Sequence, residues 1–326
     1  MSRCSVLFVF KRVEVKKNEG IESKHNKGET QMNISKISQW MKRCARPLEY
    51  ARWKYLFEGG ERETVRDCLQ AYQNDDGGFG HGLEPDYTMP HSSAIQTWAA
   101  CRIIHELNLP KEDPIVEAVV QYLIHSFDEK TGMYQTVVPE MNHYPHARHW
   151  HYEAGVQANW GYNPTIELAA YLKLWSVDER SDIIVDQILT GAIEHILTVE
   201  TMDFHELNNY QQLLMLLEGQ LPKEKALHEK VMELKEAAFS KEPSTFGQTY
   251  QGLPMDVIEG KQDGLYPKYE GLIQAHCDYL SERITEAGIW DVTWEWGRDQ
   301  SEFLIAKKYW QGILAIKHVQ YLQRFK

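Results

Sequence analysis

From about residue 35 onward, apolar residues recur three and four positions apart, the spacing of one buried helix face. Ser93-x-x-Gln96 has the form of a capping box and leads into Ile95, Trp98, Ala99 and Ile103. Asp113-Pro114 places an N-cap and a first-turn proline ahead of Ile115, Val116, Val119, Val120, Leu123 and Ile124. Asn163-Pro164 repeats the device before Ile166, Leu168, Ala169, Ala170 and Leu172. Asp203-x-x-Glu206 opens a segment carrying Leu207, Tyr210, Leu213, Leu214 and Leu217, and Pro222 opens another through Ala238. Two more helical segments are predicted over 271–285 and 302–323. Strand-like alternation is scarce, so the predicted class is all-α.

The connections share a turn. Gly77-Gly78-Phe79, Gly132-Met133-Tyr134, Gly264-Leu265-Tyr266 and Gly288-Ile289-Trp290 all read Gly-x-aromatic. The fullest is Gln73-Asn74-Asp75-Asp76-Gly77-Gly78-Phe79-Gly80. Its glycines permit positive φ in a tight reversal, and its aromatic can fold back on the helix just left. Gln73 is placed to satisfy open backbone groups at a helix end. Asp75 and Asp76 beside glycine read as turn chemistry. A helix pair repeated every 40 to 55 residues or so, unable to bury its apolar face alone, points to a solenoid or a closed ring.

On Gln73, Asp76, Gly77, Gly78, Phe79 and Gly80 the chain resembles the repeat of the squalene cyclase and protein prenyltransferase superfamily. Weaker echoes at 132–134, 264–266 and 288–290 spread the resemblance over most of residues 35–326. Gly80-His81-Gly82-Leu83-Glu84-Pro85-Asp86, with Pro90 and Ser92-Ser93, resembles bacterial proteins described as prenyltransferase-like. The resemblance implies an α/α toroid of about five to six helix pairs. It does not bring the superfamily's chemistry. The Asp-x-Asp-Asp acid of protonation-initiated cyclases is absent, and Asp75-Asp76 lacks the third carboxylate of Asp-Asp-x-x-Asp. His276-Cys277-Asp278 is not the Asp-x-Cys of a prenyltransferase zinc site and reads as one helical turn.

Composition narrows the function classes. The 326 residues carry 35 Lys/Arg against 47 Asp/Glu, a net charge of −12, which argues against a nucleic-acid partner. Residues 1–32 hold seven Lys/Arg and four Asp/Glu and little to bury. They read as a flexible tail, or as sequence upstream of a true start at Met32. Residues 33–326 then form one domain. Five scattered cysteines, never paired as Cys-x-x-Cys, indicate reduced thiols. Ser5–Phe10 is too short for a membrane span or a signal core, so a cytoplasmic protein without transmembrane segment is expected.

Three segments carry candidate chemistry. The longest connection, 139–163, places His143, His146, His149 and His151 among aromatics and prolines. His149, His151 and Glu153 alternate, so an extended stretch would put them on one side. Such donors suit a divalent zinc, iron or manganese ion in the His143–Glu153 loop. Substrate-contacting histidines and structural filling are the other readings. The second segment is Trp290-Asp291-Val292-Thr293-Trp294-Glu295-Trp296, whose tryptophans could line a pocket, stack on sugar rings or plug the wall. The third holds His81, Glu84, Asp86 and His91, with helix capping as the plain alternative. Loops at one rim of a helical ring converge, so the three segments are expected to meet.

These residues support two classes of function. In the enzyme reading, a small molecule occupies a central cavity and His81, His149, Trp150, His151, Trp294 and Trp296 contact it. If the resemblance extends to substrate, that molecule is a polyprenyl or terpenoid, with Glu84, Asp86, Glu153 or Asp291 as acid or base. A carbohydrate-active reading stands beside it, because other helical toroids cleave or epimerise sugars with aromatic stacking and carboxylate or histidine acid–base pairs. Cavity polarity separates the two. The second class is a binding or scaffold protein that kept the ring and lost the chemistry.

Overall fold

The capping residues act largely where the sequence places them. In a computed structural model that describes residues 32–248 and 251–325, Asn33, Ser93, Asp113 and Asp203 each accept a backbone N–H at the start of a helix. The expected tail, apart from Met32, lies outside the described residues. Twelve α-helices occur among the described residues, and the only strand-like features there are isolated bridges. They are α1 (Ile34–Cys44), α2 (Pro47–Phe57), α3 (Arg62–Gln70), α4 (Ala94–Glu106), α5 (Pro114–Ser126) and α6 (Thr165–Trp175). Then come α7 (Glu179–Thr198), α8 (Phe204–Leu216), α9 (Glu224–Ala237), the single turn α10 (Pro254–Val257), α11 (Tyr266–Glu282) and α12 (Gln300–Phe325). The class is all-α. Among the described residues no helix is long and apolar enough to cross a membrane.

Three expected caps are spent differently. Gln96 does not reach back to Ser93; its Oε1 accepts from Leu83 N–H at 2.9 Å and its Nε2 donates to Met89 O at 2.8 Å. Glu206 likewise turns away from Asp203 and accepts from Tyr162 N–H at 2.8 Å. Asn163-Pro164 is a cis pair, α6 begins after it, and no side chain caps that helix. For Gln96 and Glu206 a distant loop offers a donor or acceptor that competes with the helix end.

The Gly-x-aromatic turns behave as a repeated unit at three of four sites. Gly77 has φ +86°, and a Cβ there would stand 2.1 Å from Ala118 O, so both conformation and space require glycine. Gly132 and Gly288 share the sign of φ; Gly264 does not, and Tyr266 instead begins α11. Phe79 N–H donates to Thr97 Oγ1 at 3.0 Å, and Tyr134 N–H donates to Thr165 Oγ1 at 3.1 Å, the same device one helix pair later. Asp76 accepts from Gly78 N–H and the Ser92 hydroxyl, which is turn chemistry. Gln73 bonds Gly77 O within its own turn and Ile115 O of α5 rather than an open helix end.

Helix contacts run in two tracks. The even-numbered helices adjoin one another: Arg52 of α2 pairs with Glu106 of α4, Arg102 of α4 with Glu167 of α6, and α6 packs on α8. Contacts then pass through α10 and α11 to α12, which packs against α2 and α1. Helices α3, α5, α7 and α9 back this track. One apolar core spans α2–α9, and a second joins α1, α11 and α12. A third, smaller and rich in aromatics, unites Tyr87, Trp150 and Trp296 from the three candidate segments.

Candidate active site

The 80–87 turn owes its position to two buried side chains on helices it does not belong to. Gln96 holds Leu83 and Met89, as above. Arg46, just before α2, donates to Gly82 O at 2.8 Å and Leu83 O at 3.2 Å. Its remaining N–H groups make a two-point pair with Glu49 at 2.6 and 2.8 Å, and its guanidinium lies over the Tyr309 ring at 4.7 Å. Arginine is suited to this because its planar fork can serve carboxylate and carbonyl acceptors at once. Neither role was legible beforehand: Arg46 has no motif, and Gln96 reads as a cap.

So held, the turn presents Glu84 and Asp86, both buried. Asp86 Oδ1 accepts from Trp296 Nε1–H at 2.8 Å, and Oδ2 from Trp294 Nε1–H at 2.9 Å. Trp310, edge-on to Trp294 with ring centres 5.2 Å apart, brings a third indole beside the carboxylate. Burial raises the Asp86 pKa, and the indole donors oppose that rise. Glu84 is raised well above the usual carboxylate range, first by burial and then by the Asp86 charge. Its Oε2 has no hydrogen-bond partner among the described residues.

The long connection closes on the same place. Ala147 N–H donates to Asp86 O at 3.0 Å, Tyr87 and His146 form an antiparallel bridge, and the Thr88 hydroxyl bonds Pro145 O. Tyr144 reaches His91 at 3.1 Å, and Arg298 Nε–H donates to His146 O at 3.2 Å. Trp150 is buried against Tyr87 and stacks on Trp160 with ring centres 4.5 Å apart. The three segments therefore meet, through main-chain bonds as well as rings.

The individual residues separate into groups. Glu84, Asp86, Trp150, Trp294, Trp296 and His151 lie in or beside the junction. His81 is exposed, with φ +58°, and bonds Asn74 Oδ1 at 2.9 Å. Asp291 is exposed and taken up by Lys307 at 2.8 Å and Gln311 at 3.1 Å. Glu153 is exposed at the edge of an open, polar depression of about 280 Å³ lined also by Arg148, His149, His151 and Asn159. Arg148–Trp150 form a single 3₁₀ turn, so the stretch is not extended, yet His149, His151 and Glu153 all border that depression. His151 Nδ1 lies 3.2 Å from His146 Nε2, whereas His149 rests on Trp150. Among the described residues no group of three His, Cys, Asp or Glu side chains is arranged to hold a metal ion.

Two carboxyl groups two residues apart thus have different environments. One is strongly biased to keep its proton; the other has donors that favour its charge. Such a pair can give and stabilise charge at neighbouring points. Comparison with protein-family models, curated proteins and solved structures returns no match.

Proposed function

We propose that this protein is an enzyme on an α/α toroid, with acid–base chemistry directed at a carbohydrate-like small molecule where the three segments meet. In this reading Glu84 is the proton donor and Asp86 the carboxylate that steadies developing positive charge. The carrying observation is the Glu84/Asp86 pair, in which burial and the neighbouring charge hold the Glu84 proton while indole N–H groups favour the Asp86 anion. Half-buried faces of Trp294 and Trp310 beside Asp86, and of Trp160 stacked on Trp150, offer stacking surfaces for a sugar ring. The polar depression lined by Arg148, His149, His151 and Glu153 favours a hydroxylated substrate over a polyprenyl chain. The toroid itself is supported by the repeated Gly-x-aromatic turn, by the two helix tracks, and by the packing of α12 on α1 and α2.

The test is turnover of a panel of aryl glycosides and oligosaccharides, run beside isoprenoid diphosphates, with wild type, Glu84→Gln and Asp86→Asn. The expected result is turnover of a sugar, with kcat lowered about 10²–10⁴-fold in Glu84→Gln while the helical circular dichroism is unchanged. Undiminished sugar turnover in Glu84→Gln, or turnover of isoprenoids alone, overturns the reading.

A further inference from the structure

We propose that the depression beside the junction is an oxyanion subsite that takes the carboxylate of an acidic sugar. The assignment of a sugar rests on the preceding reading; the anion site rests on its own geometry. In a chain with net charge −12, Arg148 and His151 line the depression, and Arg298 and His146 stand behind them. The Arg148 side chain has no ion pair or hydrogen bond among the described residues, although it borders the depression. It lies against the Gly297–Arg298 turn: a Cβ on Gly297 would stand 3.7 Å from Arg148 Nη2. Arg298 spends Nε–H on His146 O and has Asp299 only at 3.9 Å; its Nη2 is buried and has no partner. A buried guanidinium N–H without an acceptor is costly, and a planar carboxylate is the acceptor that its fork fits.

The adjoining imidazoles favour an acid that also carries hydroxyl groups. His146 Nδ1 lies 2.6 Å from Tyr144 O, a carbonyl that can only accept, so Nδ1 carries the proton. Neutral His146 then accepts at Nε2 from His151 Nδ1–H, which leaves His151 Nε2 as an acceptor for a ligand hydroxyl. Burial, joined by the Arg298 charge, depresses the His146 pKa and keeps that ring neutral. Glu153 and Asp299 limit the positive excess, which suits a monoanion better than a doubly charged phosphate.

Calorimetric titration of the full chain tests this with glucuronate and galacturonate, the matching neutral sugars, acetate and inorganic phosphate. Wild type is compared with Arg148→Gln and Arg298→Gln. Uronates are expected to bind at least about tenfold more tightly than neutral sugars. Arg148→Gln should abolish that advantage and leave neutral-sugar affinity and thermal midpoint unchanged, because Arg148 holds nothing else. Equal affinity for uronate and neutral sugar, or an advantage that survives both substitutions, overturns the subsite and leaves the sugar reading standing. Arg148-dependent binding of acetate with no sugar bound supports the oxyanion site and overturns the sugar reading. Tighter binding of phosphate than of any carboxylate, or no anion binding at all, overturns the proposal.

Discussion

Trp296 donates its indole N–H to Asp86 across 210 positions of sequence, at 2.8 Å and with both side chains buried. This bond ties the last loop of the chain to the turn after the first Gly-x-aromatic motif. Trp296→Phe keeps most of the apolar bulk and removes the donor, which leaves a buried carboxylate oxygen unpaired. Chemical denaturation should show a loss of about 1–3 kcal/mol. Trp294→Phe should cost less, because that ring is partly exposed and solvent can replace its N–H. Equal stability of Trp296→Phe and wild type would show that the bond contributes nothing net.

The Arg46–Glu49 pair is the other support of that turn, and both side chains are nearly inaccessible, at 5% and 1%. Arg46→Met removes one charge and strands the other, with an expected loss of about 3–5 kcal/mol. Arg46→Met with Glu49→Leu should regain most of it, since two apolar groups no longer need each other. A double variant as unstable as the single one would mean that the bonds to Gly82 and Leu83, not the ion pair, carry the effect.

What was legible in the sequence follows the range of the interaction. The turn at 73–80 is written locally: Gly77 needs positive φ, Phe79 needs a core, and Asp76 bonds two residues on. Helix periodicity is local in the same sense, and the starts at Asp113 and Asp203 come with it. Gln96 and Glu206 stand at the spacing of a cap, but a partner 13 or 44 positions away competes with the helix end three residues back. His149, His151 and Glu153 border one depression through a 3₁₀ turn at Arg148–Trp150 and not through an extended stretch, and no period-two pattern reveals that turn. Glu84, Asp86, Trp294 and Trp296 could be picked out as residue types. That two indoles would bind one carboxylate is a matter of tertiary arrangement.

Glu206 supplies a pH prediction. Burial raises its pKa to about 7, while Tyr162 N–H and a partly exposed His195 at 3.5 Å are its neighbours. An unfolded glutamate titrates near 4.3, so the folded chain binds the extra proton between about pH 4.3 and 7. Stability is therefore lost as pH rises through that window, by up to roughly 4 kcal/mol for this group. Glu206→Gln removes the titration, so the stability difference between variant and wild type should shift towards the variant as pH rises from 5 to 7.5. A pH-independent difference would assign Glu206 an ordinary pKa.

His276 and His318 act in the opposite direction. Both are buried in the core joining α1, α11 and α12, and neither ring nitrogen of His276 has a partner among the described residues. His276 lies among Phe246, Tyr279 and Tyr321, with ring centres 5.1 to 6.0 Å away, and His318 is edge-on to Trp290 at 4.9 Å. Burial lowers their pKa values to about 4 and about 3, with Lys317 adding to the depression and Asp256 opposing it. The unfolded chain takes up these protons near pH 6.5 and the folded chain does not, so stability falls as pH drops below that point. The slope is about 1.4 kcal/mol per pH unit for each histidine. His276→Met, which keeps bulk without a titrating nitrogen, should be more stable relative to wild type at pH 4.5 than at pH 7.5. Because Glu206 stabilises in the same range, each variant has to be read as a difference from wild type at matched pH. If His276→Met and wild type lose stability in parallel from pH 7.5 to 4.5, His276 is protonated in the folded chain and this core holds a charge.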